Sequence, residues 1–139
     1  MFELLVTLCL ADICADRIVP SPHPMDEATC QSIQTDRLSG WLKDRPAYTA
    51  SAPRCVPLNE LPAANVREFA PGAFVHTGLV EDVSPENAGD VANTGFIVGE
   101  DAVAVIDTGT TRVVGQALYV AIRKQTDKPI AFAKCVKTP

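Results

Sequence analysis

The stretch from Asn93 to Ile130 restricts the fold more than any other part of this chain. Gly95–Val98 and Val103–Ile106 are short apolar runs rich in Val and Ile, split by Gly99-Glu100-Asp101. Branched residues bounded by turn formers predict a β-hairpin. After Asp107-Thr108-Gly109 the apolar period changes. Val113, Val114, Ala117, Leu118, Ala121 and Ile122 fall at helical spacing, which predicts an amphipathic helix over Arg112–Lys124, packed on the hairpin. Thr110 or Thr111 offers an N-cap hydroxyl, and Pro129 prevents the helix from continuing. The apolar run Ile130–Ala133 is then expected as a strand parallel to Val103–Ile106, reached by a right-handed crossover and ending beside Asp107.

Upstream, Val66–Phe69, a Pro71-Gly72 turn and Ala73–His76 predict a second hairpin in the same sheet. Val80–Asp90 is acidic and carries Pro85, Asn87 and Gly89, so it reads as a surface loop with a solvated acidic face. His76 closes an apolar strand and has no neighbouring ligand type. A hydrogen-bonded strand-end histidine is the preferred reading over a catalytic one.

The first 55 residues have a different character. Cys9, Cys14, Cys30 and Cys55 all lie there, and none lies between Val66 and Ile130. Met1–Leu10 is apolar except at Glu3 and Thr7. Its alternation reads as a half-buried strand, Phe2–Leu10; a secretory signal is the other reading, although Glu3 stands where a positive charge belongs. Ala11-Asp12-Ile13 turns the chain, Asp16–Val19 returns, and Pro20 to Pro24 cannot be helical. Asp26 or Thr29 starts a helix carrying Cys30, Ile33, Leu38, Trp41 and Leu42 on one face and running to Lys43. Tyr48–Cys55 forms a third strand, interrupted by Pro53. In this trace Cys9 meets Cys14 at one end and Cys30 meets Cys55 at the other, the preferred of three pairings, with Cys135 left over. Four free thiols, or a zinc site, are the competing readings. The chain divides into a cysteine-bearing ββαβ lobe (1–55), a proline-punctuated linker (56–65) and a partial domain (66–139).

The order hairpin, hairpin, Asp-Thr-Gly loop, helix, with Asp90-Val91-Ala92-Asn93 ahead of the second hairpin, resembles the opening motif of the metallo-β-lactamase superfamily. The resemblance spans Val66 to Ile130, and the cysteine-bearing leader is most similar to that of the quinoprotein-relay-system zinc metallohydrolases. It implies an α/β fold: the N-terminal half-sheet and first helix of an αββα sandwich. Asp107, Thr108 and Gly109 are implied to orient the metal-ligand loop without binding metal directly. The family uses zinc to activate water against an ester, amide or thioester-type substrate, with a small-molecule substrate and a periplasmic or secreted setting near quinoprotein dehydrogenases. Where the His-x-His-x-Asp-His ligands are expected, at about positions 136 to 142, the chain reads Val136-Lys137-Thr138-Pro139. The expectation is a chain truncated or frameshifted before its metal motif, with no zinc and no activity of its own. A non-enzymatic accessory or binding module, built on the same half-sheet and cysteine lobe, is the alternative.

Other function classes find little support. A net charge of −5 and a pI of about 4.9 leave no basic stripe for nucleic acid. At 47% hydrophobic and 21% charged residues the chain is not a disordered tail, and no apolar run is long enough to cross a bilayer. It contains no Gly-x-Ser-x-Gly turn, no dinucleotide fingerprint and no phosphate loop, and Cys135 has no foreseeable histidine partner.

Overall fold

A computed structural model describes residues 1–134 as a mixed α/β chain in two compact units, Met1–Leu61 and Pro62–Pro139. Expectations placed on Cys135 and on positions 136 to 139 lie outside the described residues.

The first unit is a three-stranded sheet of order β2-β1-β3 with one helix, from β1 (Phe2–Leu10), β2 (Ile13–Val19), α1 (Glu27–Leu42) and β3 (Thr49–Pro57). Both neighbours run antiparallel to the central β1. Leu4, Val6, Val19, Met25 and Cys30 form the core, with Ile33, Leu38, Trp41 and Cys55 packed around it. The helix starts where Asp26 accepts a 2.7 Å hydrogen bond from the Thr29 amide. Bonding to Thr29 holds the Asp26 carboxyl below its ordinary pKa.

β3 is longer than expected and takes in part of the predicted linker. Its register against β1 shifts between Leu5 and Thr7, opposite Arg54 and Ser51, and Ala52 there has φ 49°. Pro53 sits at this irregularity on an edge strand, where a missing amide proton costs no ladder bond. A single 3-10 turn, Leu58–Glu60, follows. Leu58 and Leu61 are buried, so the stretch around them is packed rather than free.

Both expected disulfides are present. Cys9–Cys14 joins directly opposed residues of the β1–β2 hairpin, with Cα atoms 4.1 Å apart. Cys30–Cys55 ties α1 to β3, with Cα atoms 6.0 Å apart.

The second unit is a five-stranded sheet of order β4-β5-β6-β7-β8. Its elements are β4 (Arg67–Ala70), β5 (Ala73–His76), β6 (Thr94–Val98), β7 (Val103–Ile106), α2 (Arg112–Gln125) and β8 (Ile130–Lys134). The first four strands are an antiparallel meander, and β8 runs parallel to β7 as expected after a helix. Phe96, Val103 and Val105 meet Leu118 and Ile122 of α2 in one core, and Phe74 stacks on Phe96 at 4.8 Å. At alternate positions, Ile97, Ile106 and Phe132 remain exposed. No helix among the described residues is long and apolar enough to cross a membrane.

The two disulfides should differ in their effect on stability. Closing a sequence separation of 25 contributes roughly 3 kcal/mol in the chain-entropy account, more than a separation of 5. The double variant Cys30→Ala/Cys55→Ala is therefore expected to lose about that much, read in urea from the single tryptophan, Trp41, which packs on the same core. An unchanged midpoint would mean that the core holds without its covalent tie.

Candidate functional site

Strand direction gathers the polar residues of the second unit at one edge of its sheet. β5 and β7 both run antiparallel to β6, so the ends of β5 and β7 lie with the start of β6. β8, parallel to β7, ends there too. His76, Thr94, Asp107 and the N-terminus of α2 therefore share one edge, the place where α/β sheets put their ligands.

The Asp107-Thr108-Gly109 loop begins in left-handed backbone, with φ 59° at Asp107. Aspartate tolerates this region because its carboxylate can bond locally. Here Oδ1 accepts from the Gly109 amide at 3.1 Å. The Asp107 amide donates to the Lys134 carbonyl at 2.7 Å, which holds the end of β8 against the loop. Gly109 has φ 82°, and a Cβ there would lie 2.4 Å from Cγ1 of the buried Val114. The loop thus needs glycine both for its backbone and for its approach to α2.

Of the two hydroxyls proposed as caps, Thr111 serves. It accepts from the Val114 amide at 3.4 Å and donates to the Ala88 carbonyl at 2.7 Å. A single side chain therefore starts α2 and fastens the loop before β6. That loop closes on itself as well. Asn87 Oδ1 accepts from the amides of Ser84 and Gly89, its Nδ2 donates to Asp82, and the Leu79 amide donates to the Asp90 carbonyl.

His76 is buried, and both of its ring nitrogens face acceptors. Nδ1 lies 3.0 Å from the Asn65 carbonyl and Nε2 lies 2.7 Å from Asp90 Oδ1. Two acceptors require two ring protons, so the geometry favours the imidazolium. Burial opposes that charge, but the Asn65 carbonyl and the Asp90 carboxylate outweigh it and raise the pKa above 6.5. With both nitrogens donating, His76 has no lone pair with which to accept a proton as a general base. It ties the segment entering the unit to the loop that precedes β6.

Beside this pair is a cavity of about 300 Å³, lined by Ala64, Asn65, Ala88, Val113, Val114 and Ala117 among others. Its walls are mostly apolar, with the His76–Asp90 pair as a polar group on one side. Thr94, opposite His76 in the β5–β6 register, is buried, and its hydroxyl has no hydrogen-bond partner among the described residues.

Sequence reasoning located Asp107, Thr108 and Gly109 at a strand end and preferred a bonded His76. It missed both partners. Asp90 was assigned to a solvated acidic face, yet it is half-buried and ion-paired. Asn65 acts through its carbonyl, which carries no side-chain signal. The clustered turn formers from Asn87 to Gly89 were the available hint, since such turns commonly fold a loop back on its neighbours.

Among the described residues no group of three or more His, Cys, Asp and Glu side chains could hold a metal ion. Cys9, Cys14, Cys30 and Cys55 are committed to disulfides. No family model matches the chain, and no curated protein matches it significantly.

Two measurements check this site. The His76 ring should titrate by NMR with a midpoint above 6.5, and Asp90→Asn should lower it. Because the folded-state value is raised, the pair stabilises fully below the ordinary histidine value, and that contribution is lost as pH rises through the raised one. Asp90→Asn is accordingly expected to cost about 1–3 kcal/mol in acid and less in base. A midpoint at or below 6.5 in the parent protein would contradict the assignment. Separately, Gly109→Ala should destabilise by about 1–3 kcal/mol, read from the far-ultraviolet signal in urea, because it places alanine in left-handed backbone against Val114.

Proposed function

We propose that the second unit is the opening half of a metallo-β-lactamase-type hydrolase domain, in which the Asp107 loop braces a metal-ligand loop that follows β8. The observation that carries this reading is the bond from the Asp107 amide to the Lys134 carbonyl, which holds the end of β8 beside the acidic loop. Whatever follows β8 therefore starts at the edge where the acidic loop and α2 begin. The sheet offers a second line of support. α2 covers one face, while Ile97, Ile106 and Phe132 stand exposed at the alternate positions, as suits a half-sheet that packs on another layer.

The described donor set does not fit zinc. The described residues therefore supply the brace of a site and not its metal ligands. Two disulfides are compatible with an oxidising extracellular compartment, which supports a periplasmic or secreted setting; an association with quinoprotein dehydrogenases rests on the sequence resemblance alone. The same exposed positions also suit an accessory module that binds through its sheet face.

The test is genetic and then chemical. One frame of the parent DNA is expected to encode His-x-His-x-Asp-His within about ten codons of β8, since strand residues advance ~3.3 Å each and few are needed to reach the edge. A chain joined through that frame should retain stoichiometric zinc after dialysis against a mild chelator, and Asp107→Ala should weaken its affinity about 10–100-fold without abolishing it. If every frame lacks such a cluster, the accessory-module reading replaces this one.

A further inference from the structure

The two disulfides occupy opposite environments. Cys30 is fully buried in the core of the first unit, and its bond to Cys55 crosses from helix to sheet. Cys9 and Cys14 face each other near the tip of the β1–β2 hairpin, where Cys14 is exposed and Cys9 half-buried. Their strands are already registered from Leu4↔Val19 to Leu10↔Ile13, so the bond repeats a constraint that the backbone ladder supplies. It also closes a sequence separation of only 5, which restricts the unfolded chain least. One pair is built into the core. The other is accessible and constrains the chain less.

An accessible disulfide in a hairpin that its own ladder already registers has the character of an exchangeable one, because exchange requires access for an attacking thiolate. We propose that Cys9–Cys14 is a redox-active disulfide that accepts electrons from the dithiol of a partner protein, while Cys30–Cys55 keeps the unit folded. A partner thiolate attacks Sγ of Cys14, the exposed sulfur. A mixed disulfide forms, the Cys9–Cys14 bond breaks, and Cys9 leaves as a thiolate that takes up a proton. The partner's second thiolate attacks the partner sulfur of the mixed disulfide and releases Cys14 as a thiol. In sum the partner dithiol loses two electrons and two protons and becomes a disulfide, and Cys9 and Cys14 gain them.

The experiment equilibrates the oxidised full chain across a graded series of reduced and oxidised dithiothreitol. Acid quenching, alkylation and peptide mass mapping then identify which pair has opened, with Cys135 counted separately. Cys9–Cys14 is expected to open with an equilibrium constant at least tenfold larger than that of Cys30–Cys55, about 30 mV for a two-electron couple, and without a change in Trp41 fluorescence. Joint opening, earlier opening of Cys30–Cys55, or a Trp41 change on opening Cys9–Cys14 would each overturn the proposal. A second measurement tests the direction of attack. Brief reaction of the oxidised parent chain with reduced glutathione, followed by acid quenching and peptide mapping, should place the glutathione on Cys14 at least ten times as often as on Cys9. Equal occupancy would overturn the assignment of Cys14 as the attacked sulfur.

Discussion

The apolar contact between α2 and the covered faces of β6 and β7 sets the rest of the second unit. Phe96, Val103 and Val105 meet Leu118 and Ile122 there. Burying each such side chain is worth about 1.5–3 kcal/mol, whereas one hydrogen bond adds about 1 kcal/mol net. The packing therefore decides the register and the polar groups accommodate it. A slip of one residue in β7 would bring Ala104 and Ile106 to the helix and expose Val103 and Val105. With the register fixed, Asp107 must leave the sheet where it does, and the chain must turn within a few residues to start α2 at Arg112.

The polar arrangement follows from that turn. Thr111 lies at the N-terminus of the packed helix, and its hydroxyl satisfies an α2 amide and the Ala88 carbonyl together. Fastening Ala88 brings Asp90 toward the end of β5, where His76 waits with its other nitrogen on Asn65. A buried imidazole with one orphaned nitrogen would cost more than either bond yields, which is why both acceptors matter. Thr94 presents the contrasting case of a buried hydroxyl without a partner among the described residues, at the same edge. Unsatisfied groups of that kind are tolerated where a strongly packed core nearby absorbs the cost.

How much of this could be read from the sequence depended on period. Strands β1, β5, β6 and β7 and helix α2 were legible because alternation and helical spacing are direct consequences of burying one face. The disulfide pairing was legible because prolines and turns fixed the up-down trace that brings the sulfurs together. Loops have no period, so the Asp90–His76 pair, which spans one, left no mark beyond its turn residues. Within the expected linker span, the burial of Leu58 and Leu61 was not legible for a related reason. Prolines at 53, 57 and 62 spoke for an open segment, while two leucines three apart are buried. Composition over a window was outvoted by two side chains.

Why chemistry should gather at one sheet edge follows from the same energetics. The face under α2 is closed to water, and its residues are fixed by volume. Only where strands end can the backbone leave ladder geometry, as it does at Asp107 with φ 59° and at Gly109 with φ 82°. Such conformations cost on the order of 1–3 kcal/mol in general, less for aspartate, and persist only where the surroundings over-determine them. At Asp107 they are over-determined three ways: by the bond from the Gly109 amide, by the bond to Lys134, and by the packing of Gly109 on Val114. A loop that needed only to connect β7 to α2 could do so with ordinary backbone and fewer constraints. Held this firmly, beside the end of a parallel strand and the start of a helix, the loop leaves the Asp107 carboxylate bonded to the Gly109 amide.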